Sequence, residues 1–93
     1  METARSGKYG KVSIASTATL VCAKDDNRTN IIIYNEGTVD CRIGTDSSVT
    51  NGGAADGILL QVGAALSLDN FSDIYAITAA GTGTISYIAN KII

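Results

Sequence analysis

The chain has 93 residues, which makes one domain and leaves no room for a second. Charged residues are 17% against 45% hydrophobic, the net charge is −2 and histidine is absent, which excludes a basic surface for nucleic-acid phosphates and removes the commonest general base and zinc ligand together. No apolar run approaches the ~20 residues that span a bilayer, and the N-terminal METARSGK lacks the apolar segment of a secretory signal, so a protein made in a cytoplasm, with no membrane partner, is expected.

Residues 1–10 are expected to be a flexible N-terminal arm and residues 11–93 a single β domain. Arg5, Lys8 and Lys11 form a weak basic run at this end. Such a run is more commonly solvated than bound, but an arm that orders on docking makes the three residues interface candidates. Residues 11–16 (KVSIAS) and 18–23 (ATLVCA) form two strands or one bent strand. Asp25, Asp26 and Asn27 mark a turn, because their side chains bond their own backbone. Residues 29–35 (TNIIIYN) are the strongest strand, and Asn35, Glu36 and Gly37 turn it into residues 39–44 (VDCRIG). Residues 46–57 are a loop rich in Ser, Gly, Asn and Ala, with a short strand conceivable around Val49. Residues 58–62 and 65–68 flank Gly63, and residues 69–73 are a turn. Residues 74–78 and 84–89 are expected to pair as a final hairpin around residues 80–83. β-Branched runs between Gly/Asn/Asp clusters at roughly 8–12-residue spacing predict an all-β fold, a small antiparallel β-sandwich, jelly-roll-like, of seven or eight strands.

Strand side chains alternate between faces, so the pattern also sorts the buried side from the wet one. Ile31 and Ile33 share one face, and Ile32 and Tyr34 the other. Val39, Cys41 and Ile43 turn inward, as do Leu66 and Leu68, while Ile85 and Tyr87 share a face opposite Ser86 and Ile88. Ile32 and Tyr34 make their strand apolar on both sides, which fits either a central strand under a loop or a subunit contact. The terminal Ile92 and Ile93 either complete the core or dock on a neighbour.

Catalytic motifs are missing. The sequence contains no Gly-x-Ser-x-Gly elbow and no phosphate loop. Cys22 and Cys41 alone cannot close a tetrahedral zinc site. Two buried thiols are the simpler reading of the pair, and a disulfide requires neighbouring strands. The Asp25–Asp26–Asn27 cluster is too short to supply the six to eight oxygens of a calcium site. The expectation is therefore a protein that is not an enzyme and has no cofactor and no metal.

The run from Asn27 to Val39 (NRTNIIIYNEGTV) is followed by Cys41-Arg42-Ile43-Gly44, Gly57-Ile58-Leu59-Leu60, residues 63–70 (GAALSLDN) and residues 81–85 (GTGTI). This order resembles small β-sandwich structural proteins encoded by tailed bacteriophages, over residues 18–89. It departs from them at Leu59, where Pro is common, and at the cysteines, where Val or Tyr is usual. The resemblance implies a virion component at the capsid surface, a decoration (cement) protein that binds the major capsid protein and itself, with a trimer favoured. A tail or head-fibre component is the first alternative. A glycan- or host-surface-binding module, with its site in residues 46–57, is the second.

Overall fold

The predicted strands are present, and residues 31–35, 41–44, 65–68 and 74–78 alternate between more and less buried positions, whereas Val21 and Cys22 are buried in succession and Ile58 and Leu59 are both exposed. The computed structural model describes residues 5–26, 28–69 and 72–92. Eight strands run in the order β1 (Arg5–Ile14), β2 (Thr19–Cys22), β3 (Arg28–Asn35), β4 (Cys41–Gly44), β5 (Ile58–Leu60), β6 (Ala65–Leu68), β7 (Ile74–Thr78) and β8 (Gly83–Ile92). They build two four-stranded antiparallel sheets, β1-β8-β3-β6 and β2-β7-β4-β5. The outermost strands in sequence pair with each other, β1 with β8, and the pairing steps inward through β2 with β7, β3 with β6 and β4 with β5. Successive pairs fall in alternate sheets, which is the jelly roll.

Two expectations change at this point. Residues 74–78 and 84–89 are not a hairpin: β7 and β8 belong to different sheets, so residues 79–82 arch across the sandwich. Turn residues announce a reversal but not the strand beside which the chain lands. The same holds for β1 into β2 and β3 into β4; only β4 to β5 stays within one sheet. Residues 5–10, expected in an arm, are the first part of β1 and pair along β8, from Arg5 opposite Ile92 to Gly10 opposite Tyr87. Their polar composition is that of a sheet-edge strand, which needs backbone pairing on one side only.

The core lies between the sheets. Ile14, Ile31, Ile33, Ile74 and Ile85 are fully buried, with Val21, Cys22, Cys41, Ile43 and Leu60 around them. Burying each such isoleucine contributes roughly 1.5–3 kcal/mol. Leu66, Leu68 and Tyr87 are half-buried against this cluster. Cys22 and Cys41 are both buried and unbonded, and β7 separates their strands. Val49 is buried beneath the loop that leads to β5. Gly57 permits that closure: a Cβ there would lie 2.0 Å from the Ile43 carbonyl oxygen. Between β5 and β6, Ala64 N–H donates to the Gln61 carbonyl at 2.9 Å, and Gly63 sits at φ 80°, the left-handed third position that glycine fills in a type II turn.

Candidate interaction surface

Residues facing outward from β1-β8-β3-β6 align in rows across the strands. One row is Tyr9, Ile88, Ile32 and Ser67; the next is Lys11, Ser86, Tyr34 and Ala65. Ile32, Tyr34 and Ile88 are 39%, 42% and 47% exposed, and Tyr9 is 82% exposed. Around Ile32, Tyr34 and Ile88 the surface forms a shallow depression that also takes in Ser86 and Tyr87. Polar groups border it. Lys11 Nζ lies 3.4 Å from Glu36 Oε2 at one end, and Asn90 Nδ2 donates to Asn30 Oδ1 at 3.0 Å at the other. The result is an apolar patch with a polar rim, the anatomy of a protein contact.

Of the residues singled out from sequence, Lys11, Ile32 and Tyr34 come together on this face. Lys8 alternates to the inner side of β1 and lines the mouth of a cavity of about 90 Å³, with Cys22, Lys24, Asp25 and Arg28. Arg5 and Ile92 are opposed in the β1–β8 register; their side chains, and Ile93 altogether, lie outside the described residues. Tyr9 and Ile88 were missed as contact candidates. Their signal was in the alternation, since Tyr9 shares a parity with Lys11, and Ile88 opposes Tyr87 along β8.

The opposite face, from β2-β7-β4-β5, carries Leu20, Tyr75, Ile77, Arg42 and Leu59 by register. Arg42 Nη1 donates to the Gly57 carbonyl at 3.3 Å, while its Nε is buried without a hydrogen-bond partner among the described residues. Arg28 is buried at the cavity and donates to the Ala23 carbonyl at 3.1 Å, to the Ser72 carbonyl and toward Cys22 Sγ at 3.2 Å. This arginine ties β3 to the segments before and after it, a structural task.

The loop of residues 46–57 spends its polar groups internally. Asp46 accepts from the Ser48 N–H at 2.9 Å, and Asp56 accepts from the Thr50 hydroxyl and the Gly53 N–H, both at 2.8 Å. The Ser48 hydroxyl and backbone N–H hold the Asp46 carboxyl below its ordinary range, and the Gly53 N–H and Thr50 hydroxyl do the same for Asp56. Among the described residues, no three His, Cys, Asp or Glu side chains gather where they could hold a metal ion.

No protein-family model matches the chain, and no curated protein matches it in sequence. A solved structure does match in fold: a chain from Bacillus endospore appendages, described as a novel family of disulfide-linked pili, aligns over all of this chain and 92% of that one with a TM-score of 0.62 and 16% identity. At that identity the likeness establishes a shared fold.

Proposed function

We propose that this chain is a non-catalytic structural subunit, and that its assembly is a bacteriophage particle in which it decorates the shell. The observation that carries the reading is the outward row of Tyr9, Ile88 and Ile32, with Tyr34 beside it, on one rigid sheet. A small domain has little reason to expose four large apolar residues side by side unless a neighbour covers them. The resemblance of residues 18–89 to phage β-sandwich proteins supports the virion, and the jelly roll is a fold that capsid domains use. Covering the patch adds binding free energy to the assembled state alone, so the shell resists rupture by linkage.

The test is the copy number of the chain in purified particles, by quantitative mass spectrometry against the major shell protein. A simple fraction of the shell count supports decoration, a count near that of tail proteins moves the chain to the tail, and absence from particles overturns the virion. An Ile32→Asp/Tyr34→Asp variant that folds yet no longer joins particles would place the contact on this face. A second reading, a subunit of a surface filament, is favoured by the fold shared with a pilus protein. Fibres containing the chain, seen by electron microscopy outside any particle, would select it.

A further inference from the structure

Each sheet ends in two edge strands, β1 and β6 in one and β2 and β5 in the other. β1 touches β2, and the turn of residues 61–64 joins β5 to β6, so the edges fall on two flanks of the sandwich. The flanks are opposite in charge. β1 contains Arg5, Lys8 and Lys11 and no acid, while Lys24 beyond the end of β2 lies 3.8 Å from the Asp26 carboxylate and donates its N–H to Asp73 at 2.6 Å. On the β5/β6 flank Asp56 precedes β5, Asp69 follows β6 and Asp40 accepts the Val62 N–H at 2.9 Å, with Arg42, opposite Leu59, as the cation beside them. Both flanks also present apolar side chains to solvent: Tyr9 and Leu20 on the basic side, Ile58, Leu59 and Val62 on the acidic side.

Strand direction adds a second constraint. Because each sheet has four antiparallel strands, β1 and β6 run oppositely, and so do β2 and β5. A second copy translated across the sheets therefore brings its β6 antiparallel to β1 and its β5 antiparallel to β2, without turning over. A symmetric β1-to-β1 contact would set the lysines of one copy, Lys8 and Lys11, against the same strand of the other, and like charges across strands destabilise a sheet. Lysines on an edge strand block indiscriminate pairing; an acidic edge is the partner they admit.

From this we infer that the β1/β2 flank docks on the β5/β6 flank of a second copy of this chain, head to tail, extending the sheets from subunit to subunit. The inference rests on the structural-subunit reading and names its partner surface. Continuing the row Tyr9, Ile88, Ile32, Ser67 without stagger sets Ser67 of the incoming copy opposite Tyr9, its Leu68 opposite Lys8 and its Asp69 opposite Gly7, on the outer face with Tyr9. Sheet twist of roughly 20–25° per strand turns the repeated step into a screw. Such a contact closes into a ring or continues as a fibre, according to its rotation.

The experiment is sedimentation velocity of the purified chain over a range of concentration at low and high salt, combined with disulfide trapping. Concentration-dependent association that weakens as salt screens the flanks is expected. The Tyr9→Cys/Ser67→Cys variant should give a ladder of cross-linked oligomers or a ring on mild oxidation, whereas Tyr9→Cys alone stays monomeric. Gly7→Glu, which sets a carboxylate opposite Asp69 of the incoming copy, should weaken association by roughly fivefold, and adding Asp69→Lys should restore it, with circular dichroism confirming the fold of each variant. A monomer at every concentration and salt, or efficient dimers from Tyr9→Cys alone, would overturn the contact. A chain that polymerises when purified but is missing from particles would defeat the virion reading and leave this contact standing; single copies seated on particles and no self-association would do the reverse.

Discussion

Replacing Asn35 by alanine tests the polar joint between the sheets. The Asn35 side chain is fully buried at the end of β3. Its Nδ2 donates to the Val39 carbonyl at 2.9 Å and to the Leu60 carbonyl of β5 at 3.0 Å, and its Oδ1 accepts the Gly37 N–H at 3.1 Å. One amide thus closes the turn into β4 and reaches the second sheet. Asn35→Ala removes three hydrogen bonds at a net 0.5–1.5 kcal/mol each and strands two carbonyls and an N–H, so a loss of about 2–4 kcal/mol is expected. A domain of this length has roughly 5–14 kcal/mol in all, and each kcal/mol moves its Tm by about 4–8 °C, so Tm should fall by about 8–32 °C. Asn35→Asp sharpens the test by aiming an oxygen at both carbonyls and burying a carboxyl. Burial and those carbonyls favour the protonated acid in the folded state and raise its pKa. The variant's stability is then fully present below the unfolded value of about 3.9 and is lost as pH rises through the folded one, so its deficit should be smaller at pH 4 than at pH 7. The measurements are urea and thermal denaturation at both pH values. An Asn35→Ala protein within about 0.5 kcal/mol of the parent would mean that these bonds hold nothing that water cannot.

Gly57→Ala should cost about 3 kcal/mol by urea denaturation, because the new Cβ meets a main-chain carbonyl that the β4–β5 ladder holds in place. Gly63→Ala, with open space around it but φ at 80°, should cost only about 1–2 kcal/mol. Burial, and then the Asp40 carboxylate, push the Cys41 thiol above its ordinary pKa. Its contribution to stability is therefore present below about pH 8.5 and declines as pH rises toward the folded value; Cys41→Ala should flatten that alkaline decline in Tm, and the thiol should label with an aromatic disulfide only as the protein unfolds. The depressed Asp46 and Asp56 carboxyls act with the opposite sign. Their contribution is present above about pH 3.9 and is lost as pH falls through their folded values, so Asp56→Asn should show a shallower acid loss of Tm than the parent.

Strand positions and buried faces were legible because a strand writes its own surroundings in period two. That Ile31 and Ile33 share one face and Ile32 and Tyr34 the other follows from four consecutive letters, and the structure buries the first pair and exposes the second. Neighbours were not legible. Period two records which side of a strand is dry but not which strand lies beside it, so residues 74–78 and 84–89 suggested a hairpin, although the chain crosses between sheets there. Gly83 carries a trace of the crossing: a Cβ on it would press on Cys41 Sγ and the Thr78 side chain at 3.1 Å. A glycine at a strand start equally marks a tight turn or a bulge, and its letter is the same in all three settings. Residues 5–10 misled for a related reason. An edge strand with solvent on one side has a composition close to that of a tail, and only its pairing with β8 tells the two apart.

The interaction surface was legible to the same depth. Ile32 and Tyr34 stood out because they break the alternation of a strand already apolar on its inner side. For Tyr9 and Ile88 the alternation gives the face but not the neighbours, and only the register sets them in one row with Ile32. Charge shows the same limit from the other side. A basic first quarter and an acidic remainder can be read in the letters, but in a chain of net charge −2 they say nothing about shape. The fold gives them position, because the jelly roll puts β1 and β2 at one pair of edges and β5 and β6 at the other. The cations of β1 and the carboxylates beside β5 and β6 are thereby set apart across the sandwich, perpendicular to the strands. That is the direction in which open sheet edges add a neighbour, and the direction in which opposite charge can choose one.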